Sequence, residues 1–145
     1  MATAWSKRAQ ERLRTAGQRI GPARSTVIDY LDGQSCCRGA QEIHDALVTR
    51  GTKIGLASVY RVVDTLLEHG LVQRVDVGDG VARFEAVRAG RGHHHHLVCD
   101  DCGRVEAFAD PRLERAIEAV EGRTGFDVVA HDVVLRGSCA DCRTE

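Results

Sequence analysis

Residues 56–70 read LASVYRVVDTLLEHG, and this stretch predicts the fold of the first half of the chain. Its apolar residues recur at the spacing of one helix face, which predicts a helix from Leu56 to His69 with one buried side. Gly70 follows at the position where a left-handed residue commonly ends a helix. The other side of this helix is polar and would be free to contact a partner. The predicted buried side consists of Val59, Val62, Val63, Leu66 and Leu67.

Three shorter helices are predicted before this one, because glycine and proline separate three further helical patterns. They cover about residues 6–16, 22–31 and 40–47. Beyond Gly70 the apolar period changes from 3.6 to 2 on both sides of the sequence GDG at 78–80, which predicts a β-hairpin. Helices followed by a two-stranded wing form the winged variant of the helix-turn-helix. We therefore predict a DNA-binding domain over residues 1–87.

The second half of the chain is predicted to be a separate, smaller domain. Residues 88–92, RAGRG, are polar and glycine-rich, which indicates a linker. Residues 93–145 form the predicted small α/β domain. About fifty residues cannot supply much core without a metal or a partner chain. The predicted fold class is α+β, an N-terminal winged helix-turn-helix domain followed by a small α/β dimerisation domain. Its expected elements are strands over 93–99, 105–108 and 126–136, and a helix from residue 111 to about residue 123.

Composition and charge narrow the class of protein. The 145 residues include six cysteines and carry a formal net charge of −1. Residues 1–88 have 13 Lys and Arg against 10 Asp and Glu, whereas residues 89–145 have 7 against 11. An excess of positive charge suits contact with nucleic-acid phosphates, although such a run is more often a solvated helix face. The first fourteen residues contain no apolar stretch of the kind found in signal peptides, and no apolar run has membrane-spanning length, so we expect a cytoplasmic protein with reduced thiols.

Two Cys-x-x-Cys pairs carry the most specific signal, Cys99 with Cys102 and Cys139 with Cys142. Four thiolates at this spacing are typical of a closed, tetrahedral structural zinc site. Redox dithiols or unrelated pairs are the weaker interpretation. Because such a site forms only in the folded chain, its binding energy contributes to folding. We therefore expect Zn²⁺ to tie the first strand of the small domain to the C-terminal knuckle.

Four consecutive histidines at 93–96 lead into the first knuckle. Successive side chains of a strand point to opposite faces, so His93 and His95 should lie on one side and His94 and His96 on the other. The run could thus serve two metal sites. Imidazole and carboxylate ligands suit ions such as Fe²⁺, Zn²⁺ or Co²⁺. The nearby candidates for further ligands are Glu85, Glu106, Glu114 and His131, the last of which taken alone would more often be a structural histidine.

Tyr60, Arg61 and Asp64 lie on the polar side of the predicted fourth helix, near its N-terminal end. A recognition helix presents side chains to base edges from this position. Arginine can bind guanine or phosphate there, and tyrosine can contact phosphate or a thymine methyl group. An exposed Tyr-Arg pair is also common on ordinary helix surfaces, so this signal is weak by itself.

Together these motifs resemble the ferric uptake regulator family over nearly the whole chain, from about Leu13 to Cys142. The sequence GLASVYRV at 55–62 is similar to the family's recognition helix. Phe84-Glu85 is similar to the end of its wing, and residues 93–103 to its metal strand and knuckle. The resemblance implies a metal-loaded homodimeric repressor that binds double-stranded operator DNA. It implies no enzyme activity, no small-molecule substrate and no membrane partner.

The resemblance also implies a role for each motif residue. The structural zinc ligands would be Cys99, Cys102, Cys139 and Cys142. A regulatory ion at the hinge would be bound by Glu85, His94 and His96, with Cys37 as a further candidate. A third site would consist of His93, His95, Glu114 and His131. The residues expected to contact DNA are Arg19, Ser58, Tyr60 and Arg61.

Three departures from the family pattern bear on the sensed metal. Cys37 stands where iron-sensing members usually have a histidine. The cysteine that zinc-sensing relatives carry just after the wing is absent. Ala107 stands where an acidic residue is expected, and Glu106 is displaced by one position, which turns it to the other face of a strand. We expect Fe²⁺ or Zn²⁺ as the regulatory ion, with a slight preference for iron.

Four functions are compatible with parts of this pattern, and a metal-gated repressor is favoured. A peroxide-sensing repressor of the same architecture is less favoured, because Glu85 and Cys37 depart from the pattern of such sensors. A constitutive DNA-binding protein with only structural zinc would show no further metal dependence. A zinc hydrolase is disfavoured, because the sequence has no HExxH helix and no nucleophile with an oriented base.

Overall fold

A computed structural model describes residues 3–89 and 93–143 of the chain. The chain divides into two compact units, Met1–Arg91 and Gly92–Glu145. Each unit contains its own three-stranded sheet. No helix in the described residues is long and apolar enough to cross a membrane. Of the predicted linker, residues 90–92 lie outside the described part of the chain.

The first unit combines four helices with a small antiparallel sheet. The helices are α1 (Ala4–Thr15), α2 (Pro22–Asp32), α3 (Ala40–Thr49) and α4 (Leu56–Glu68). The strands are β1 (Arg38–Gly39), β2 (Val72–Val75) and β3 (Arg83–Ala86), and their order in the sheet is β1-β3-β2. Helices α3 and α4 followed by the β2-β3 hairpin confirm the predicted winged helix-turn-helix fold.

Helix α4 contributes its apolar face to the core of the first unit, as its period predicts. Val59, Val62, Val63 and Leu66 are buried. Burying one such side chain contributes about 1.5–3 kcal/mol relative to leaving it exposed. Gly70 has a φ of +65°, which is the left-handed conformation expected after the helix. The core partners of α4 from the other helices include Leu13, Val27, Ile28, Leu31, Ile43 and Leu47.

The wing differs from the predicted hairpin in two respects. Strand β1 was not predicted, since its two residues pair with β3 but are too few to show a period. The loop between β2 and β3 is also longer than expected, covering residues 76–82, so that Val77 and Ala82 lie outside the strands. Within this loop Asp76 accepts from the Gly78 N–H at 2.8 Å and Asp79 from the Val81 N–H at 3.1 Å. These bonds satisfy backbone groups that strand pairing would otherwise use.

The chain that leaves the wing is fastened to the first two helices. Arg88 donates to the side chain of Asp32 at 3.0 Å and to its backbone carbonyl at 2.6 Å. The Arg88 guanidinium also lies 5.6 Å from the centre of the Trp5 ring, and Arg8 donates to the Val87 carbonyl. Arg88, the first residue of the predicted linker, is therefore bound to the first unit.

The second unit contains one helix and a mixed sheet. Its elements are β4 (His95–Cys99), β5 (Val105–Phe108), α5 (Pro111–Thr124) and β6 (Val134–Gly137). The strand order is β5-β4-β6, with β4 antiparallel to β5 and parallel to β6. Asp110 caps the start of α5 by accepting from the Arg112 N–H at 2.8 Å, and Gly125 ends the helix with a φ of +75°.

Two strands of the second unit are shorter than the sequence analysis predicted. The strand predicted over residues 93–99 begins at His95, because β5 pairs with it from His95 to Val98. The strand predicted over residues 126–136 is wrong over most of its length. β6 covers only Val134–Gly137, which pair with residues 96–99 of β4. His131, predicted to lie on this strand, precedes it in irregular backbone.

Candidate metal centres and nucleic-acid interface

The two cysteine knuckles lie at one end of the sheet of the second unit. β4 and β6 run parallel, and Cys99 at the end of β4 is paired in register with Gly137 at the end of β6. The chain therefore enters both knuckles at the same end of the sheet. The first knuckle turns at Gly103, whose φ of +76° favours glycine. The four sulfur atoms of Cys99, Cys102, Cys139 and Cys142 lie within 4.8 Å of one another.

The geometry of this cluster fits a tetrahedral zinc ion. A Zn–S distance of about 2.3 Å places neighbouring sulfurs about 3.8 Å apart in a tetrahedron. Cys102 Sγ and Cys139 Sγ are 3.9 Å apart. The Cys139 N–H donates to Cys99 Sγ at 3.2 Å. Backbone N–H groups of Cys139 and Cys102 lower the pKa of Cys99 to about 6, because they stabilise its thiolate.

Cys142 shows the opposite shift, which a bound cation would reverse. Hydrogen bonds with Cys139 and Cys102, together with burial, raise its pKa to about 12. Thiols this close share protons when they hold no cation, whereas Zn²⁺ binds the deprotonated form of each. The donor set therefore fits Zn²⁺, which would join the end of β4 to the end of β6.

Two ion pairs that the sequence analysis missed flank the knuckles. Arg104 pairs with Asp141 at 3.0 Å, and Arg136 pairs with Asp100 at 2.8 Å. Exposed pairs of this kind contribute about 0–1 kcal/mol each, so they support the knuckles without replacing a metal. Arg104 also pairs with Glu106 at 3.0 Å. Glu106 is exposed and belongs to none of the metal-ligand groups that the described residues form, so its candidacy as a ligand is not supported.

A second cluster in the same unit joins three histidines and a carboxylate. The ligand atoms of His93, His95, Glu114 and His131 lie within 4.8 Å of one another. Glu114 bridges two of the histidines, with one oxygen 2.5 Å from His95 Nε2 and the other 2.8 Å from His131 Nε2. The His93 ring centre is 4.4 Å from that of His95 and 4.5 Å from that of His131. The structure thus brings together all four residues predicted for the third site.

The surroundings of this cluster hold His95 in place. His95 is 1% exposed, and its Nδ1 accepts from the Val133 N–H at 3.3 Å. Burial raises the pKa of Glu114, but hydrogen bonds with His95 and His131 outweigh it and the net shift is downward. Burial and the neighbouring His95 and His131 lower the pKa of His93. Three imidazoles and a carboxylate form a nitrogen and oxygen set that suits a borderline divalent ion.

The first unit carries two of the predicted regulatory ligands. Gln73 donates to Glu85 at 2.6 Å across the β2-β3 pair. Cys37 precedes β1, and the pairing of Arg38 with Phe84 places it beside Glu85 in register. A hydrogen bond with Cys36, burial and the charge of Glu85 raise the pKa of Cys37. Cys36 was not predicted as a site residue, yet its sulfur lies 3.8 Å from that of Cys37.

The second unit carries the other two predicted regulatory ligands. His96 lies on β4, and its backbone N–H donates to the Val133 carbonyl at 3.2 Å. The ring centre of His94 lies 5.2 Å from that of His96. His93 with His95 and His94 with His96 therefore form two separate pairs, although the first two residues of the run precede the strand.

The residues predicted to contact DNA lie on exposed parts of the first unit. Tyr60 is half-exposed in the second turn of α4, and Arg61 is exposed beside it. Arg61 donates to Ser58 Oγ at 3.0 Å, which holds its guanidinium near the start of the helix. Arg19 is exposed between α1 and α2, and Arg24 fixes its backbone by donating to its carbonyl at 2.6 Å. These side chains are available to an anionic partner.

Comparisons with known proteins agree with the predicted family and with the fold. The profile of the ferric uptake regulator family matches residues 15–136. The ferric uptake regulation protein of Bacillus subtilis is 31% identical over 137 residues, which cover 93% of this chain and 92% of that protein. The zinc uptake regulation protein of Mycobacterium tuberculosis is 37% identical over 131 residues, covering 89% and 98%.

A solved structure extends the comparison to three dimensions. The ferric uptake regulator of Vibrio cholerae superposes with a TM-score of 0.75 at 31% identity, covering 90% of this chain and 98% of that one. The resemblance drawn from the motifs is thereby confirmed. The chain belongs to the ferric uptake regulator family of metal-responsive, DNA-binding transcription regulators.

Proposed function

We propose that this protein is a metal-gated repressor that binds operator DNA as a homodimer. The observation that carries the proposal is the distribution of the regulatory ligand set, defined as Cys37, Glu85, His94 and His96. Two of these residues belong to the unit with the recognition helix and two to the unit with the zinc knuckles. An ion that all of them bind would restrict how the two units are arranged.

This distribution supports coupling between metal and DNA. If the arrangement favoured by the ion is the one that fits DNA, the regulatory ligands bind the ion more tightly in the DNA-bound protein. Linkage then requires that DNA bind more tightly to the metal-loaded protein by the same factor. Typical coupling of about 1–3 kcal/mol corresponds to a 5- to 150-fold change in affinity.

The apolar surface of the second unit supports a homodimer. Helix α5 has no buried residue, and Val129 is 92% and Phe126 72% exposed. Val120 and Leu135 are about half-exposed. Apolar side chains concentrated on one unit mark a surface that a protein partner covers. A second copy of the chain is the occupant proposed here, since it would also place two recognition helices against two half-sites of an operator.

The three ligand groups are proposed to have different tasks. Zn²⁺ at the four cysteines would stabilise the second unit, since thiolate ligands in a closed site suit this ion. His93, His95, Glu114 and His131 would bind a further divalent ion that stabilises the same unit. The regulatory ion is proposed to be Fe²⁺ or Zn²⁺. The resemblance slightly favours iron, and the names of the relatives include both metals for those proteins.

Metal-titrated DNA binding tests this function. Protein that retains one zinc per chain at the knuckles is first mixed with a random pool of double-stranded DNA in the presence of added metal. The DNA that it binds is then recovered and sequenced. Affinity for the selected DNA is then measured by fluorescence anisotropy against Fe²⁺, without oxygen, and against Zn²⁺, at several salt concentrations.

We expect one of the two ions to raise operator affinity at least about fivefold. Equal affinity with and without added metal would instead indicate a constitutive DNA-binding protein with structural zinc only. Metal-dependent binding that hydrogen peroxide abolishes irreversibly in the Fe²⁺ form would indicate the peroxide-sensing alternative.

A further inference from the structure

We propose that Cys36 and Cys37 act together as a dithiol that binds the regulatory ion and makes this site selective for Zn²⁺ over Fe²⁺. The inference rests on the proposed function, because it names the metal chemistry of the same regulatory site. It places Cys36 among the ligands in place of Glu85, and it replaces the slight preference for iron that follows from the family resemblance.

The first observation is the distance between the two sulfurs. Adjacent residues of an extended strand point to opposite faces, which would separate their thiols. Here the chain bends at Ser35 and Cys36 before β1 begins, and the two Sγ atoms lie 3.8 Å apart. A tetrahedral zinc with Zn–S distances of about 2.3 Å requires a sulfur separation of about 3.8 Å. The pair thus has the spacing of two zinc ligands, as Cys102 and Cys139 do at 3.9 Å.

The second observation is where the pair lies in the first unit. Both cysteines are buried, yet neither belongs to the apolar core that the four helices share. Cys37 is instead beside Glu85 in the register of the sheet and close to the guanidinium of Arg83. Buried cysteines that serve only as small apolar residues pack among other apolar side chains. The charged neighbours of Cys37, to which Cys36 is joined by its sulfur, favour a ligand role over a packing role.

The third observation is the donor set that results. If His94 and His96 bind the same ion, as the proposed function holds, the two thiolates of this pair would complete a four-ligand set of two sulfurs and two nitrogens. This is the set of many tetrahedral zinc sites. Thiolates select zinc over ions that prefer oxygen and nitrogen, and the intrinsic order of divalent affinities also places Zn²⁺ above Fe²⁺. Glu85, held by Gln73, would then serve as a charged neighbour of the site.

Cobalt spectroscopy of the full-length protein counts the thiolates at this site. The knuckle site keeps its zinc, verified by metal content per chain, and Co²⁺ is added as the probe. Each thiolate bound to Co²⁺ contributes to a near-ultraviolet charge-transfer band, so wild type should show the band of two thiolates. We expect Cys36→Ser and Cys37→Ser each to lose roughly half of that band and the double variant to lose it entirely. Zinc content measured again after the titration shows whether Co²⁺ has entered the knuckles, and a full band in the double variant with the knuckle zinc retained would overturn the inference.

Metal affinity is the second readout. Substituting a residue that only hydrogen-bonds to a metal ligand typically lowers metal affinity about 10- to 100-fold. Removing a thiolate that binds the ion itself should therefore weaken Zn²⁺ binding at least about tenfold. Fe²⁺ binding should change less, which lowers the ratio of the two affinities. A packing role predicts a different result, namely that Cys36→Ala and Cys36→Ser lower the melting temperature and leave the cobalt band and zinc affinity intact. That result would overturn the inference.

The outcomes separate this inference from the proposed function. If Cys36→Ser keeps wild-type zinc affinity while DNA binding still responds to metal, the dithiol is wrong and the metal-gated repressor stands. If both cysteines contribute to the cobalt band but added metal leaves operator affinity unchanged in wild type, the dithiol site stands and the proposed function fails.

Discussion

Arg61 is the side chain of α4 best placed to contact a base or phosphate. Its hydrogen bond to Ser58 orients the guanidinium at the start of the helix, where recognition helices meet base edges. We predict that Arg61→Ala weakens operator binding by about 1–3 kcal/mol and leaves metal content and dimerisation unchanged. Arg123→Ala, which removes an exposed cation from α5, is the charge-matched control. Equal operator affinity for wild type and Arg61→Ala at moderate salt would mean that α4 is not the helix that contacts the operator.

The Asp32 carboxylate is expected to make the stability of the first unit depend on pH. It accepts hydrogen bonds from Thr3 and from Arg88, which lies in the segment that follows the wing. Burial raises its pKa, but hydrogen bonds from Thr3 and Arg88 outweigh it and hold the pKa below its usual value. A carboxyl with a depressed folded-state pKa stabilises the fold above the unfolded-state pKa, and this contribution is lost as the pH falls through the folded-state value.

We therefore predict that Asp32→Asn lowers the free energy of unfolding of the first unit by about 1–3 kcal/mol at neutral pH. The difference from wild type should shrink as the pH is lowered toward about 3. Fluorescence of Trp5, the single tryptophan of the chain, monitors the first unit in denaturant titrations. Asp64→Asn, an exposed change on α4, is the control. A difference that stays constant across this pH range would contradict the role given to the Asp32 carboxylate.

At the scale of elements, the knuckle zinc is expected to join the ends of β4 and β6. We predict that Cys102→Ser lowers the melting temperature and the dimer fraction together, because the zinc binding energy is part of the folding energy of this unit. DNA binding should fall as a consequence. Ser138→Ala, a change beside the second knuckle, should leave both properties unchanged. A dimeric Cys102→Ser protein with the melting temperature of wild type would rule out a structural role for the site.

Helices were easier to predict from this sequence than strand ends, and the reason is physical. α4 has thirteen residues, enough for its buried face to repeat several times, and glycine marks its end. β1 has two residues and β6 has four, and the last residue of each pairs with a terminal residue of its partner strand. Pairing with a partner strand is a property of the tertiary structure, so the period of residues 126–133 could not reveal that they form no strand.

The candidate sites, too, were predicted where sequence spacing is sufficient and missed where the tertiary structure decides. The knuckle cysteines and the alternating histidines were predicted, because their spacing alone implies shared ligands. Cys36 was missed, since adjacent residues ordinarily diverge and only the bend before β1 brings its sulfur to that of Cys37. The adjacent cysteines themselves were the available signal. Glu106 was a candidate by proximity in sequence, but its side chain pairs with Arg104.

For the whole molecule, dimerisation is expected to depend on the exposed apolar side chains of the second unit. We predict that Phe126→Asp combined with Val129→Asp shifts the protein toward monomer, because a charge placed in an apolar interface is left unpaired. Sedimentation velocity measures the shift. Val48→Asp changes a residue of similar character, 49% exposed on α3, and should leave the dimer intact. Wild-type association by the double variant would place the dimer interface elsewhere.

Metal-dependent operator binding by His96→Ala tests most directly whether an ion shared by the two units controls repression. The variant should keep the knuckle zinc, the fold and the dimer, because the four knuckle ligands are all cysteines. Operator affinity of the variant should no longer rise when the regulatory metal is added, whereas His131→Ala should retain most of the wild-type response. Full metal-dependent operator binding by His96→Ala would contradict regulation through this ligand set.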